Sequence, residues 1–360
     1  MFKHRHYVPC LRWKQGEYKA VSLLSSTASD LITPLIEVPE KGYDFETQSD
    51  KKTIEEHLAL FPKRVATHWK KRACFVDLLH IAPTERLKPA IHPVAHVFDE
   101  LESFGCAAIP VTAPNRDAHY QRAVHQSPAR KKRGLAIRLT IEEAARPNCR
   151  AVLQTLLGSE NQPETCDLIL DLRAPNYTPL VGFAKLLAAI IGRLPDLNRW
   201  RTFTVVGTSF PSHMGEIQTS LEVIPRNEWM LYKLVAVALA KAGVRIPTFG
   251  DYAINYPDLL PKDMRLLKPS ATIRYAIDDA WLIVKGRNVR DHKFGQYKGL
   301  AKTVRTHADY LGSGFSRGSG YVADCANGTE STGNLTTWRW VGTNHHLEKV
   351  AQDLASFSFA

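Results

Sequence analysis

The 360-residue chain has six cysteines, Cys10, Cys74, Cys106, Cys149, Cys166 and Cys325, and they form no CxxC pair. No Cys/His spacing would close a tetrahedral site, so a zinc framework is excluded and the thiols read as reduced core residues. Long apolar runs are missing too. The longest, around Leu186 to Ile191 in KLLAAIIGRL, is far short of the roughly 20 residues that span a bilayer, and MFKHRHYVPCLRWK lacks the apolar core of a signal peptide. The expectation is a cytoplasmic protein with no membrane partner. No GxGxxG or GxxxxGK[ST] follows a candidate strand, and HExxH and GxSxG are absent. These absences remove the common dinucleotide, P-loop, zinc-protease and esterase readings. Acid is scarce: 36 Asp and Glu stand against 47 Lys and Arg, a net charge of +11. The summed field therefore attracts polyanions, with nucleic acid or nucleotide as the expected partner.

What is present is an ordinary globular composition, 44% hydrophobic and 23% charged, which excludes disorder as the main state. Eight apolar runs bounded by turn residues predict strands: Leu31 to Val38, Ala73 to Ile81, Cys106 to Thr112, Gly134 to Ile141, Cys166 to Leu172, Thr202 to Gly207, Val244 to Phe249 and Ala271 to Ile277. Between them lie helical segments, Thr53 to Phe61, Pro93 to Phe104, Glu142 to Leu157, Pro179 to Leu194 and Glu228 to Ala242. Near-continuous apolar strands alternating with helices predict a parallel sheet covered on both faces. Eight such units match a (β/α)8 barrel, a single α/β domain of the TIM-barrel type, better than a doubly wound open sheet of five or six strands.

Three stretches are expected: an N-terminal strand and helix segment over 1–30, the barrel over 31–286, and a basic, Gly/Ser-rich loop over 287–360 that ends in a helix packed on the barrel. Within them, HYVPCLRW reads as a short extended piece before a helix from Gln15 to Leu24, and WLIVKG reads as the return arm of a hairpin turning at 277–280. The last helix is predicted over His346 to Phe357, with Asn344 as a plausible N-cap.

In such a barrel, residues at the C-terminal strand ends share one mouth. They include Glu37, Asp77, His80, Arg138, Asp171, Arg173, Ser209, Asp251 and Tyr252. Charges inside apolar runs need partners. They predict either a structural Asp–Arg network or a site that uses the carboxylates for acid/base or divalent-metal chemistry. Basic clusters at 63–64, 70–72, 130–133 and 285–305 read as solvated faces. The last also carries Phe294 and Tyr297, on which bases could stack between phosphate contacts.

Several motifs together resemble the family called beta protein, or beta family protein, of bacteria and their phages: YVPCLRWKQGEYKAVSLLS with LITPLIEVPE, the GDY ending at Tyr252, IRYAIDDAWLIVKG, and GNLTTWRWVGTNHHLEKVAQDLA. The resemblance spans nearly the whole chain. It departs at Cys10, where an aliphatic residue is expected, and at the Gly/Ser-rich stretch Gly312 to Gly320. It implies a mobile-element setting such as phage defence, and it draws attention to Lys14, Gln15, Glu17, Glu37, Asp251, Trp338, Arg339, His345 and His346.

The combined expectation is a barrel that binds a phosphate-bearing ligand, and a metal-dependent hydrolase is one form of it. Glu37, Asp77, Asp171 and Asp251 would act on the substrate, and the first three would hold Mg or Mn. His345 would serve as an acid. Lys14, Gln15, Glu17, Arg138, Arg173, Tyr252, Trp338, Arg339 and His346 would line the ligand site. The alternative is a non-catalytic sensor or scaffold in a multi-protein defence complex, whose glycine-rich tail orders on a partner. A glycosidase-like barrel ranks below both, because the strand ends supply few tryptophans.

Overall fold

The computed structural model describes residues 2–258 and 268–358. Eight strands close into a parallel barrel: β1 (Tyr7–Leu11), β2 (Leu35–Glu37), β3 (Ala73–Asp77), β4 (Ala107–Thr112), β5 (Ala136–Thr140), β6 (Asp167–Asp171) and β7 (Thr202–Gly207), with the eighth place taken by β9 (Thr248–Asp251). Strand β8 (Leu221–Pro225) stands outside it, in a three-stranded antiparallel sheet of order β8–β11–β10 with β10 (Ser270–Ala276) and β11 (Ala280–Asn288). The ring is sealed where β1 pairs with β9, Tyr7 opposite Phe249 and Pro9 opposite Asp251, and with β2, Cys10 opposite Leu35.

The barrel expected from the sequence is therefore present, with one strand exchanged and its limits moved. Residues 7–11 supply a barrel strand and 271–277 do not. The 7–11 stretch, read from the sequence as a short extended piece outside the barrel, is a barrel strand even though Pro9 has no N–H to give the ladder. The side chains of β1 nonetheless alternate as a barrel strand requires. Tyr7 and Leu11 pack outward in the helix-side core, while Val8 and Cys10 face a lumen core with Leu35, Phe75, Ile109 and Ile169. In β10, Ala271, Ile273 and Tyr275 pack into a third core outside the barrel, and the hairpin turns where expected, Ile277 N–H donating to the Ala280 carbonyl at 2.9 Å.

The final helix, Leu335–Ser356, is longer than predicted and does two jobs. Its second half, with Leu347, Val350, Ala351 and Leu354, joins the same core as Tyr7, Leu11 and Phe249, so it fills the position of the eighth barrel helix. Its first half, with Trp338, Trp340 and Val341, packs on the extra sheet. The N-cap is Asn334, whose side chain accepts from Thr337 N–H. Asn344 is not a cap: it is buried in mid-helix, accepting from Gly318 N–H at 2.8 Å and donating to the Ala20 carbonyl at 3.0 Å.

The glycine-rich stretch is likewise structured rather than an open loop, for Arg317–Asn327 is a helix. Gly318 lets it cross the last helix closely, since a Cβ there would run into the Val341 carbonyl. Gly318, which looks like flexibility in sequence, is clearance between packed helices, whereas Gly312 and Gly314 face open space.

Candidate functional site

Alternation along each strand decides which side chains reach the lumen. Leu35, Phe75, Ala136 and Ile169 point inward, so Glu37, Asp77, Arg138 and Asp171, each two residues on, form the next layer up, toward the C-terminal mouth. Tyr252, just past β9, joins the same lumen face.

Arg138 is the hub. Its Nη1 donates to Glu37 Oε1 at 3.0 Å and Asp77 Oδ2 at 3.1 Å. Its Nε and Nη2 donate to Asp171 Oδ2 at 3.0 and 2.8 Å, and Nη2 also donates to Tyr252 Oη at 2.8 Å. Burial keeps the Tyr252 phenol protonated, with Arg138 opposing, and its O–H donates to Asp171 Oδ2 at 2.7 Å. Burial also works against ionisation of Glu37, but the Arg138 charge and then the His80 hydrogen bond overcome it and hold the carboxyl well below its usual range.

A second ring of basic side chains surrounds the hub. Arg116, in the loop after β4, donates through Nη2 to Asp77 at 3.0 and 3.1 Å. His80 Nε2 pairs with Glu37 Oε2 at 3.1 Å. Arg12, the first residue past β1, donates through Nη2 to the carbonyls of Tyr256 and Pro257 at 2.6 and 2.8 Å. Its Nε lies 4.0 Å from Glu37 Oε2, beyond hydrogen-bond reach. The Nε atoms of Arg12 and of Arg116 are both buried with no partner.

The sequence reading expects Mg or Mn on Glu37, Asp77 and Asp171; the structure puts the Arg138 guanidinium at the point where they converge. Among the described residues, no group of three or more His, Cys, Asp or Glu side chains is arranged to hold a metal ion. The fourth carboxylate, Asp251, points outward. It accepts from Tyr7 Oη, from Ala253 N–H at 2.8 Å and from His346 Nε2 at 2.7 Å, while His346 Nδ1 accepts from Trp281 Nε1 at 3.3 Å. Asp251 and His346 thus clamp the seam of the barrel to the last helix.

Except for Arg173, whose backbone N–H donates to Asp171 Oδ1 at 2.8 Å, the other expected site residues lie apart from the mouth cluster. His345 is fully buried in the outer core, stacked on Tyr275 at 3.7 Å, with Nε2 bonded to the Ala276 carbonyl at 2.7 Å and Nδ1 to Ser319 Oγ at 3.0 Å. Burial pushes its pKa down to about 3, so it is neutral and fully bonded. Trp338 stacks on Tyr297 at 4.6 Å in the same core. Glu17, Asn255 and Arg339 form a latch: Asn255 Nδ2 donates to Glu17 at 2.5 Å, and Arg339 Nη1 donates to Asn255 Oδ1 at 2.9 Å. Gln15 opens the Gln15–Ser22 helix, Lys14 pairs with Glu40 at 2.6 Å, and Arg173 pairs with Asp258 at the rim.

Sequence reasoning missed Arg12 and Arg116. Arg12 would have stood at a strand end had YVPCL been counted as a strand, and Arg116 sits past the strand end in the short loop between Thr112 and Ala118, where no strand-end position marks it.

Beside the cluster, a cavity of about 640 Å³ opens between the loops after β6 and β7, strand β8 and Tyr256. Next to it Ser209 Oγ donates to Glu228 Oε2 at 2.7 Å, and burial raises the Glu228 carboxyl to about 7.

A closed parallel barrel whose ionisable side chains gather at the C-terminal mouth defines the class: a (β/α)8-barrel protein, with an antiparallel sheet and helices inserted before the last barrel helix. The chain belongs to the Beta protein family, whose model matches residues 7–352. Among solved structures it is similar to triosephosphate isomerase from Bartonella henselae, at 14% identity and a TM-score of 0.36, covering 69% of this chain and 93% of that one. No curated relative matches. Among the described residues, no helix is long and apolar enough to cross a membrane.

Proposed function

We propose that the barrel mouth binds a phosphate-bearing ligand, nucleotide or nucleic acid, and that the protein serves phage defence or a mobile element. The observation that carries the binding reading is the gathering of Arg12, Arg116 and Arg138 over the carboxylates at the mouth, where the Arg12 and Arg116 side chains stay 13% and 12% exposed. Charge-assisted hydrogen bonds from a guanidinium to an oxyanion are about twice as strong as neutral ones. Arg138 neutralises the carboxylate floor, and the +11 net charge draws anions inward.

Hydrolysis of a phosphodiester or nucleotide is the catalytic form of this reading. Its proton-transferring group is His80, oriented by Glu37 through Nε2, with no protein partner on Nδ1 among the described residues. The test is calorimetric titration with inorganic phosphate and nucleotides. The reading expects Arg12→Met and Arg116→Met each to weaken binding by about tenfold, and His80→Gln to bind normally without turnover.

The scaffold reading is favoured by one observation: Glu37, Asp77 and Asp171 are all ion-paired already, so the cluster is complete without a ligand. If no anion binds, the mouth proposal falls, and pull-down of a partner protein becomes the measurement that counts.

A further inference from the structure

The outer sheet turns one face toward the barrel, and an arginine sits on it. Ile273 and Tyr275 of β10 pack into the outer core, so Arg274 between them points the opposite way, onto the face shared by Ala276, Ile283 and Ile254. The last helix crosses there at Gly342, where a built Cβ would lie 3.5 Å from Arg274 Cβ and 3.1 Å from Ile254 Cδ1. One turn earlier on the same helix face, Arg339 donates through Nη1 to the Ile254 carbonyl at 3.0 Å. Arg274 and Arg339 therefore flank Ile254 from two different elements.

Neither guanidinium is satisfied by the protein. Among the described residues, Arg274 donates no side-chain hydrogen bond and joins no ion pair; its Nε is buried, and its two terminal nitrogens keep contact with solvent on a partly buried side chain. Arg339 uses only Nη1, on Ile254 and on Asn255 Oδ1 at 2.9 Å, while its Nε and Nη2 also reach solvent. The acids nearby are committed elsewhere. Glu17 accepts from Asn255 and from the Lys14 N–H, and Glu222, on the same sheet face two strands from Arg274, accepts from the Gln218 N–H at 3.0 Å. Burial, with the like charge of Arg339 added and Tyr297 opposing, pulls the Arg274 guanidinium down to about 9. A cation drawn out of water without a countercharge is costly, and arginines in such places are normally paired.

We propose that Arg274 and Arg339 form an anion site of their own, outside the mouth cluster, that takes one phosphate group. Two guanidiniums with open, forked donors suit a tetrahedral dianion better than a single carboxylate. The +11 net charge draws such anions in. The phosphate belongs either to a free small molecule or to a nucleic-acid backbone, and the chemistry of capture is the same for both. The inference stands whether or not the mouth binds an anion, because it uses neither Arg116 nor Arg138.

The experiment is calorimetric titration of the full chain with inorganic phosphate, adenosine monophosphate and a short single-stranded oligonucleotide, in wild type, Arg116→Met, Arg274→Met and Arg274→Lys. Arg274→Met removes a cation that has no protein partner, so its melting temperature without phosphate should match or exceed that of wild type. The expected result is that Arg274→Met weakens binding at one site by about tenfold or more, that Arg274→Lys weakens it less, and that Arg116→Met leaves this site untouched. Equal dependence on Arg274 for phosphate and the mononucleotide assigns a small phosphate, and an Arg274-dependent gain confined to the oligonucleotide assigns a strand backbone. Binding that is absent from wild type for all three probes, or unchanged in Arg274→Met, overturns the inference. So does a marked drop in the melting temperature of Arg274→Met without phosphate, which would mean that the guanidinium already serves the fold. Binding lost in Arg116→Met and kept in Arg274→Met would leave the mouth reading standing alone.

Discussion

Arg138 Nη1 lies 3.0 Å from Glu37 Oε1 across the lumen, joining residues 101 apart in sequence within one buried pair. The same guanidinium serves Asp77 and Asp171, so Arg138→Met leaves three buried carboxylates short of countercharge. Breaking a buried pair from one side costs about 3–5 kcal/mol. Urea unfolding should show a loss at the upper end of that range, with Asp171→Asn costing clearly less because Tyr252 and Arg138 retain an acceptor.

Acid sensitivity follows from Glu37. Its folded carboxyl is depressed below the ordinary value of 4.5, so its stabilisation is present above that pH and drains away as the pH falls below it. Glu37→Gln should flatten the slope of stability against pH below 4.5, read from urea midpoints in a pH series. An unchanged slope would mean the pair contributes nothing to acid unfolding.

His345 acts in a different window. It is neutral in the fold, with a pKa near 3 against 6.5 when exposed, so its share of stability is full above 6.5 and is lost as the pH drops toward 3. The slope can reach about 1.4 kcal/mol per pH unit. His345→Gln should be less stable at pH 7 and less pH-dependent between 4 and 6. Wild type with no slope there would refute the buried neutral imidazole.

Glu228 has the opposite sign. Its carboxyl is raised to about 7 by burial, so folding favours the protonated form, and stability falls as the pH climbs from 4.5 through 7. Glu228→Gln keeps an acceptor for Ser209 without the charge. It should be more stable than wild type at pH 8, by about 1–3 kcal/mol, and equal to it near pH 5.

Two glycines should respond oppositely to alanine. Gly318→Ala drives a methyl into the Val341 carbonyl at the helix crossing and should cost about 1–3 kcal/mol. Gly299, in the helix Tyr297–Thr306, has nothing within 4 Å of a built Cβ, so Gly299→Ala should add about 0.5–1 kcal/mol. Thermal melts of the two variants check both.

Strand and helix alternation was legible because parallel barrel strands are buried on both faces and read as plain apolar runs. That logic found β2 to β7 and placed Glu37, Asp77, Arg138, Asp171 and Tyr252 together. It failed at residues 7–11, read only as a short extended piece that closure makes a barrel strand, and at Ala271 to Ile277, whose apolar run belongs to an outer sheet. His345 and Trp338 stood out in sequence as polar or aromatic residues and turned out to be packing. Charge type alone does not say whether a side chain faces the lumen, as Asp251 does not, since that depends on strand parity, which the sequence leaves open by one residue.

The seam between β1 and β9 joins Tyr7 to Asp251 across 244 residues. At about 5–20 residues per second of synthesis, the first strand waits roughly 10–50 s for its partner to emerge. Through that interval, an apolar strand with an open ladder edge is left to solvent or to a chaperone. Closure of this barrel therefore follows completion of nearly the whole barrel sequence, since β1 has no β9 to pair with until residue 251 has been made.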